Sequence, residues 1–292
     1  MMPHAAATLG PGLEQAFAEC EHIARAHYEN FTLGSRLLPR DLRRHVAAIY
    51  AFARTADDFA DEEPDRARAL AALDAWEREL EACYAGASDH PVFVALAETV
   101  RRYDLPIALF RRLLAAFRMD VDFQGFATFE ELRDYCTHSA DPVGRLVLRL
   151  FGYADGERDA RADDICTALQ LTNFWQDLAV DLAKGRLYLP AEDLARFGYG
   201  PGDLAARRVT PAFRDLMAFE CARTRALFAR GQALAGMVDG VAGREIGLFA
   251  SGGMAILDRL ARVDYDVFSR RPTLSRWTKV GLVARSVLGG RA

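Results

Sequence analysis

The stretch Asn173-Phe174-Trp175-Gln176-Asp177-Leu178-Ala179-Val180-Asp181, followed by Lys184-Gly185-Arg186-Leu187-Tyr188-Leu189-Pro190, sets the reading of the whole chain. Asn173, Asp177 and Asp181 recur every four residues, which stacks three oxygen-bearing side chains on one face of a helix. No positive side chain stands on that face, and two carboxylates one turn apart repel by a few tenths of a kcal/mol. A cation between them resolves the repulsion, and an oxygen-only ligand set suits magnesium. Trp175, Leu178, Ala179 and Leu182 cover the other faces with apolar surface, so the stripe is expected to line an interior cleft. A solvated acidic face is the alternative this stretch leaves open.

Outward from it, apolar residues return at threes and fours with no alternating run that signals a sheet. Helices are expected from Leu13 to the break at Leu37-Leu38-Pro39-Arg40-Asp41, with Asp41 capping the next over 42–62. Further helices are expected over 66–84, 91–103, from Leu105-Pro106 to about Asp120, and 129–151 as one helix kinked at Pro142, with Gly144 admitting a neighbour. A charged link over 155–164 then leads into the opening stretch, and Gly185 to Gly202 reads as a long irregular region. Helices resume over 210–237, 245–270 and 274–287. No internal repeat appears. The expectation is an all-α, single-domain helical fold with a central cavity over residues 13–292, preceded by a loosely held tail, 1–12.

Composition excludes several classes. The formal charge of -4 and pI near 5.9 give no electrostatic footprint for nucleic acid. Cys20, Cys83, Cys136, Cys166 and Cys221 are odd in number and widely spaced, so neither a disulfide framework nor a zinc site is implied, and a reducing cytoplasm fits. Residues 1–12 lack a positive head and apolar core, so no signal peptide is expected. The uncharged run Ile246 to Leu257 falls well short of the ~20 residues that span a bilayer.

A second acidic pair, Asp57 and Asp61 in Arg54-Thr55-Ala56-Asp57-Asp58-Phe59-Ala60-Asp61-Glu62, repeats the spacing of the first after another apolar run. Helices that turned both pairs toward each other would hold several Mg2+ ions, and through them a diphosphate. Loss of diphosphate from an ester leaves a carbocation, so cations must neutralise the departing oxygens while the remaining pocket stays apolar and dry. Arg54, Lys184 and Arg186 suit the first task. Tyr50, Phe31, Phe52, Tyr135, Leu148, Phe174 and the stretch Met254 to Leu257 suit the second, since aromatic faces also stabilise a cation; each can equally be plain core.

These motifs resemble the squalene and phytoene synthase family of head-to-head isoprenyl diphosphate synthases. The resemblance is carried by Arg54-Thr-Ala-Asp57-Asp-Phe-Ala-Asp61, Tyr135-Cys136-Thr-His-Ser-Ala140-Asp-Pro-Val-Gly144, Asn173-Phe-Trp-Gln-Asp177-Leu-Ala-Val-Asp181 and Gly185-Arg186-Leu-Tyr188-Leu-Pro190. It covers roughly His22 to Pro190 and implies the terpenoid synthase fold. It further implies two or three Mg2+ ions on Asp57, Asp61, Asn173, Asp177 and Asp181, with Tyr135 beside the reacting carbons. Substrate contacts are implied for Arg54 and Arg186, and expected for His27, Asn30, Phe31, Tyr50, Gln176, Lys184 and Tyr188.

The run from His27 to Pro39, together with Ala48-Ile-Tyr50-Ala-Phe-Ala-Arg54-Thr-Ala-Asp57-Asp58, is most similar to bacterial hydroxysqualene synthases of hopanoid biosynthesis. There presqualene diphosphate ionises, the cation rearranges, and water captures it as hydroxysqualene. Many relatives carry Ser-x-Ser-Phe where Tyr28-Glu29-Asn30-Phe31 stands, a departure that weighs against a first condensation step. No nucleotide fingerprint is present, so no nicotinamide cofactor is expected.

The alternatives are condensation of farnesyl or geranylgeranyl diphosphate, as in presqualene diphosphate, squalene or phytoene synthases, and a di-iron carboxylate bundle. The last needs two Glu-x-x-His pairs, and only Glu19-x-x-His22 is found. His45 reads as a surface or core residue rather than a ligand, and His138, inside the Tyr135 motif, as either facing the cleft or structural. Arg276, Lys279, Arg285 and Arg291, interleaved with Trp277, Val280, Leu282 and Val283, form a basic amphipathic stretch for peripheral contact with the inner membrane face or for a buried terminal helix. Hand-over with the enzymes before and after it in a squalene pathway is the expected partnership.

Overall fold

The computed structural model describes residues 11–26, 38–275 and 278. Among the described residues the chain forms thirteen α-helices and no strand, and it divides between Val121 and Asp122 into two compact units. The first holds α1 (Pro11–Ala26), α2 (Arg40–Asp61), α3 (Arg66–Tyr84), α4 (Pro91–Tyr103) and α5 (Ile107–Val121). The second holds α6 (Phe129–Ser139), α7 (Asp141–Leu150), α8 (Gly156–Ala183), α9 (Ala191–Arg196), α10 (Pro201–Ala205), α11 (Pro211–Gly231), α12 (Leu234–Met237) and α13 (Gly240–Arg262). The expected all-helical fold is present.

In the first unit α2 forms because Ala47, Ala48, Ala51, Phe52 and Ala56 keep one face apolar, and all five are buried. Phe52 is fully enclosed by the rings of Trp76, Phe93 and Phe110, at 6.1, 5.9 and 5.2 Å, and its carbonyl accepts from Trp76 Nε1 at 3.2 Å. It belongs to the core of its unit rather than to a substrate pocket, as does Leu148 in the second unit. The break at Pro39 is observed, but Asp41 lies in the first turn of α2 and the N-cap is Pro39, whose ring has no hydrogen-bonding group to offer. His45 is buried; its Nδ1 lies 2.9 Å from Thr99 Oγ1, and burial, then Arg102, push its pKa down to about 4.

The second unit is built on α8, which packs against α6, α7, α11, α12 and α13. Three neighbours come close because they present glycine. A Cβ on Gly144 of α7 would meet Cys166 Sγ at 2.5 Å, one on Gly231 of α11 would meet Ile165 Cγ1 at 2.6 Å, and one on Gly253 of α13 would meet Leu169 Cδ2 at 3.0 Å. Trp175, fully buried, donates its indole N–H to Thr224 Oγ1 of α11 at 2.8 Å.

Two expectations fail here for physical reasons. The charged stretch over 155–164 is the first part of α8, not a link: Arg149 forks onto Asp159 at 2.7 Å and Arg145 onto Asp163, so these charges tie α7 to α8. Likewise 129–151 is two helices, since the backbone turns at Ala140 and Pro142 sits in the first turn of α7 instead of kinking a longer helix. The region after Asp181 contains α9 and α10, and the last described helix spans 240–262 rather than 245–270. No helix among the described residues is long and apolar enough to cross a membrane.

Beneath α9 lies a buried charge cluster. Glu220 is fully buried, and Arg223 Nη1 is 3.8 Å from its carboxylate. Arg223 donates to the buried Asp193 at 2.9 Å and lies over the Phe129 and Phe219 rings at 3.8 and 4.4 Å. Burial raises the Glu220 pKa to about 8 against the opposing pull of Arg223, with Asp193 and Glu192 raising it further. The folded chain therefore keeps this proton while an unfolded carboxyl, near 4.5, loses it. Between those values the unfolded state binds fewer protons, so this group makes stability fall as pH rises, by roughly 1 kcal/mol per pH unit, and the loss levels off above about 8. Glu245, raised to about 7 by burial, adds a slope of the same sign. Urea unfolding of wild type and Glu220→Gln across this range isolates the first term: the variant should gain relative to wild type as pH rises, and a constant difference would show the assignment wrong.

Candidate functional site

The α8 bank is held by how that helix stops. Gly185 adopts φ +77° directly after the helix end, Arg186 N–H donates to Asp181 O at 2.8 Å, and Gly185 N–H donates to Leu182 O at 3.1 Å. This is a Schellman stop, for which glycine carries no Cβ penalty. The reversal sends 186–189 back along α8, and the Tyr188 ring lands flat on Phe174, with centroids 3.7 Å apart and planes 6° apart. Tyr135 of α6 stands 6.3 Å from Phe174 and 6.2 Å from Tyr188. All three are buried.

Two further rings complete this cluster, Phe126 at 5.5 Å from Tyr135 and Phe123 at 5.0 Å from Tyr188. Sequence reasoning missed both, because their loop has no helical period. Ala191 N–H to Phe126 O at 2.9 Å and Glu192 N–H to Ala127 O at 3.0 Å fix that loop beside the chain leaving Tyr188. Such a pairing has no local signature.

Along α8, Asn173 is exposed, Asp177 and Asp181 are half-buried, and Phe174, Trp175, Gln176 and Leu178 are buried. The expectation that nothing positive stands on this face needs correction. Arg271, 94 residues downstream, forks onto Asp177, donating Nε–H to Oδ1 and an Nη2 hydrogen to Oδ2, the latter at 3.0 Å. Beside it Gln176 Nε2 donates to Pro272 O at 2.5 Å. Lys184 is exposed and Arg186 half-buried just beyond the helix end.

In the first unit, Arg54 of α2 donates to Asp57 Oδ2 at 3.0 Å and also reaches Asp58. Burial works against its charge, but Asp57, Asp58 and the hydrogen bond to Asp58 outweigh it and raise its pKa. Tyr50, half-buried one turn before Arg54, has its pKa raised by burial and by Asp57 and Asp58, with Arg54 opposing. Asp61 is exposed at the end of the helix. The expected contacts His27, Asn30 and Phe31, and the basic stretch Arg276, Lys279, Arg285 and Arg291, lie outside the described residues.

Among the described residues no three His, Cys, Asp or Glu side chains converge as a complete metal cage. Magnesium does not require one: it binds through one or two carboxylates and fills its octahedron with water and phosphate oxygen. On both helices an arginine already rests on the acid, Arg54 on Asp57 and Arg271 on Asp177, so each carboxylate is placed to receive a cation. The residues fit the ion. In the second unit a cleft of about 390 Å³ is lined by Phe129, Glu130, Glu192, Asp193, Arg196 and Arg223, none of which belongs to the acidic stretch of α8.

The family description "Squalene/phytoene synthase" matches residues 24–278. The phytoene synthase of Arthrospira platensis is 34% identical over 278 residues, covering 89% of each chain, and that of Thermus thermophilus is 36% identical over 270 residues, covering 92% of this chain and 91% of the relative. Among solved structures, squalene synthase HpnC from Alicyclobacillus acidocaldarius superposes with a TM-score of 0.84 at 44% identity, over 88% of this chain and 97% of that one. A dehydrosqualene synthase in complex with ligand gives 0.87 at 26% identity, over 95% and 97%. With acidic helices, aromatic cluster and similarity over most of its length in accord, the chain belongs to the squalene/phytoene synthase family.

Proposed function

We propose that this family member is a hydroxysqualene synthase, which ionises presqualene diphosphate and lets water capture the rearranged cation. The likeness of the run from His27 to Pro39 to hydroxysqualene synthases supports this choice, and the 44% identity to a squalene synthase, HpnC, supports a squalene-type rather than a phytoene-type substrate. Asp57 and Asp61 in one unit, and Asn173, Asp177 and Asp181 in the other, are assigned to Mg2+. When bound, the ion neutralises charge on the departing diphosphate.

The chain's own side chains do the rest. Arg54, Lys184 and Arg186 add positive charge for the leaving group. Phe174, Tyr188 and Tyr135 offer buried π-faces to the hydrocarbon cation and keep bulk water from it, so that capture is confined to an admitted water. His27, Asn30, Phe31, Tyr50 and Gln176 are assigned to binding the substrate. The phytoene synthase relatives favour a second reading, condensation of two allylic diphosphates at the same residues.

Incubation with Mg2+ and, separately, presqualene, farnesyl or geranylgeranyl diphosphate separates the two. Turnover of presqualene diphosphate to a C30 alcohol is expected; consumption of farnesyl or geranylgeranyl diphosphate alone would replace this reading by the second. Asp57→Asn and Asp177→Asn should each lower kcat/KM by about 100-fold or more, since each removes charge that acts on the departing oxygens.

Phe174→Leu keeps the site apolar but removes one face of the 3.7 Å stack. Turnover should fall by about tenfold, equivalent to ~1.4 kcal/mol of lost cation stabilisation. Single-turnover rates set against a urea melt test this, and an unchanged rate would leave the ring a purely structural role.

A further inference from the structure

The segment after α13 is shaped to bring one cation to one carboxylate. At the end of α13 Asp264 and Tyr265 take φ of +53° and +59°, consecutive left-handed positions that cost non-glycine residues free energy. Asp264 is held there by Arg214 of α11, Val267 is buried, and Phe268 packs on Phe213 with ring centroids 5.0 Å apart. So anchored, the chain runs onto α8. Pro272 O accepts from the buried Gln176, and the Arg271 guanidinium forks onto Asp177. Two neighbouring residues of α8 thus grip two neighbouring residues of this strap.

We propose that Arg271 is the resident cation of Asp177, and that a divalent ion arriving on α8 displaces it and releases the strap around residues 271–275. The inference rests on the reading that α8 takes a divalent ion, and adds that the ion competes with a side chain of the chain itself. The fork uses both oxygens of Asp177, so guanidinium and metal exclude each other there. Half of the Arg271 side chain is exposed, so it leaves the carboxylate without uncovering a buried cavity. Binding of the ion and opening of the strap become one equilibrium, in which the ion favours opening by the same factor by which opening favours the ion.

The test uses the full chain and Mn2+ as a paramagnetic probe, with free ion read by electron paramagnetic resonance for wild type, Arg271→Gln and Asp177→Asn. Arg271→Gln should bind Mn2+ about three- to tenfold more tightly, the range set by losing a partly exposed fork. Asp177→Asn should bind at least one ion fewer or more weakly. In parallel, mass spectrometry follows tryptic cleavage of the Arg270–Arg271 bond: Mn2+ should speed it in wild type, whereas Arg271→Gln should be cut quickly with or without the ion. Should circular dichroism show Arg271→Gln misfolded, Arg271→Lys, which cannot fork, should give a smaller shift of the same sign. If the Arg271 variants bind Mn2+ no more tightly while Asp177→Asn has lost affinity, the competition is wrong and the metal reading stands. If Asp177→Asn binds as wild type does, the metal reading itself falls.

Discussion

One helix has to satisfy two opposed demands. Within two turns of α8, Phe174, Trp175 and Leu178 must be buried while Asn173 and Asp177 keep their oxygens accessible. A helix polar on one face satisfies this only if its other faces are tightly packed, and the glycines at 144, 231 and 253 are what let α7, α11 and α13 approach that closely. Replacing Gly231 by alanine would set a methyl 2.6 Å from Ile165 and push α11 off the helix that carries the acids. The packing that holds the unit together and the orientation of the acidic stripe are therefore one constraint.

Much of this was legible in the residues. The four-residue spacing of Asn173, Asp177 and Asp181, and of Asp57 and Asp61, placed each set on a helix face, and Gly185 announced the helix end. Local rules give local answers: the bounds of α3 and α4 follow from Asp65 and Pro91. What was illegible depends on partners distant in the chain. Residues 155–164 read as a link because Asp159 and Asp163 look like solvent-facing charge, and only Arg145 and Arg149, carried by another helix, pair them and let Asp159 be buried and Asp163 half-buried. Arg271 on Asp177 spans 94 residues and has no sequence period to betray it. Phe123 and Phe126 belong to a loop, where neither helical nor strand spacing applies.

Phe52 shows the opposite failure, since its place beside the Asp57 motif invited a functional role that the rings of Trp76, Phe93 and Phe110 exclude. An aromatic near a charged motif along the helix is one turn away in space only if it shares the face. Phe52 precedes Asp57 by five residues, which on a 3.6-residue helix sets it about 140° away. Phe174 precedes Asp177 by three and lies within about 60° of it, so ring and carboxylate adjoin.

That difference bears on the substrate class. On α8 the boundary between greasy and charged surface runs between residues one turn apart, with the Phe174–Tyr188 stack on one side and Asp177 on the other. A ligand that satisfies both must itself change from apolar to anionic within a few ångströms, as the junction of a prenyl carbon and a diphosphate does. A wholly polar phosphate ester would set its charge against the apolar surface around the stacked rings, and a neutral hydrocarbon would leave the carboxylates with nothing to bind through a cation. The proposed ionisation breaks its bond at that junction, and the charge it separates, an anion and a carbocation, matches the acidic and the aromatic side in turn.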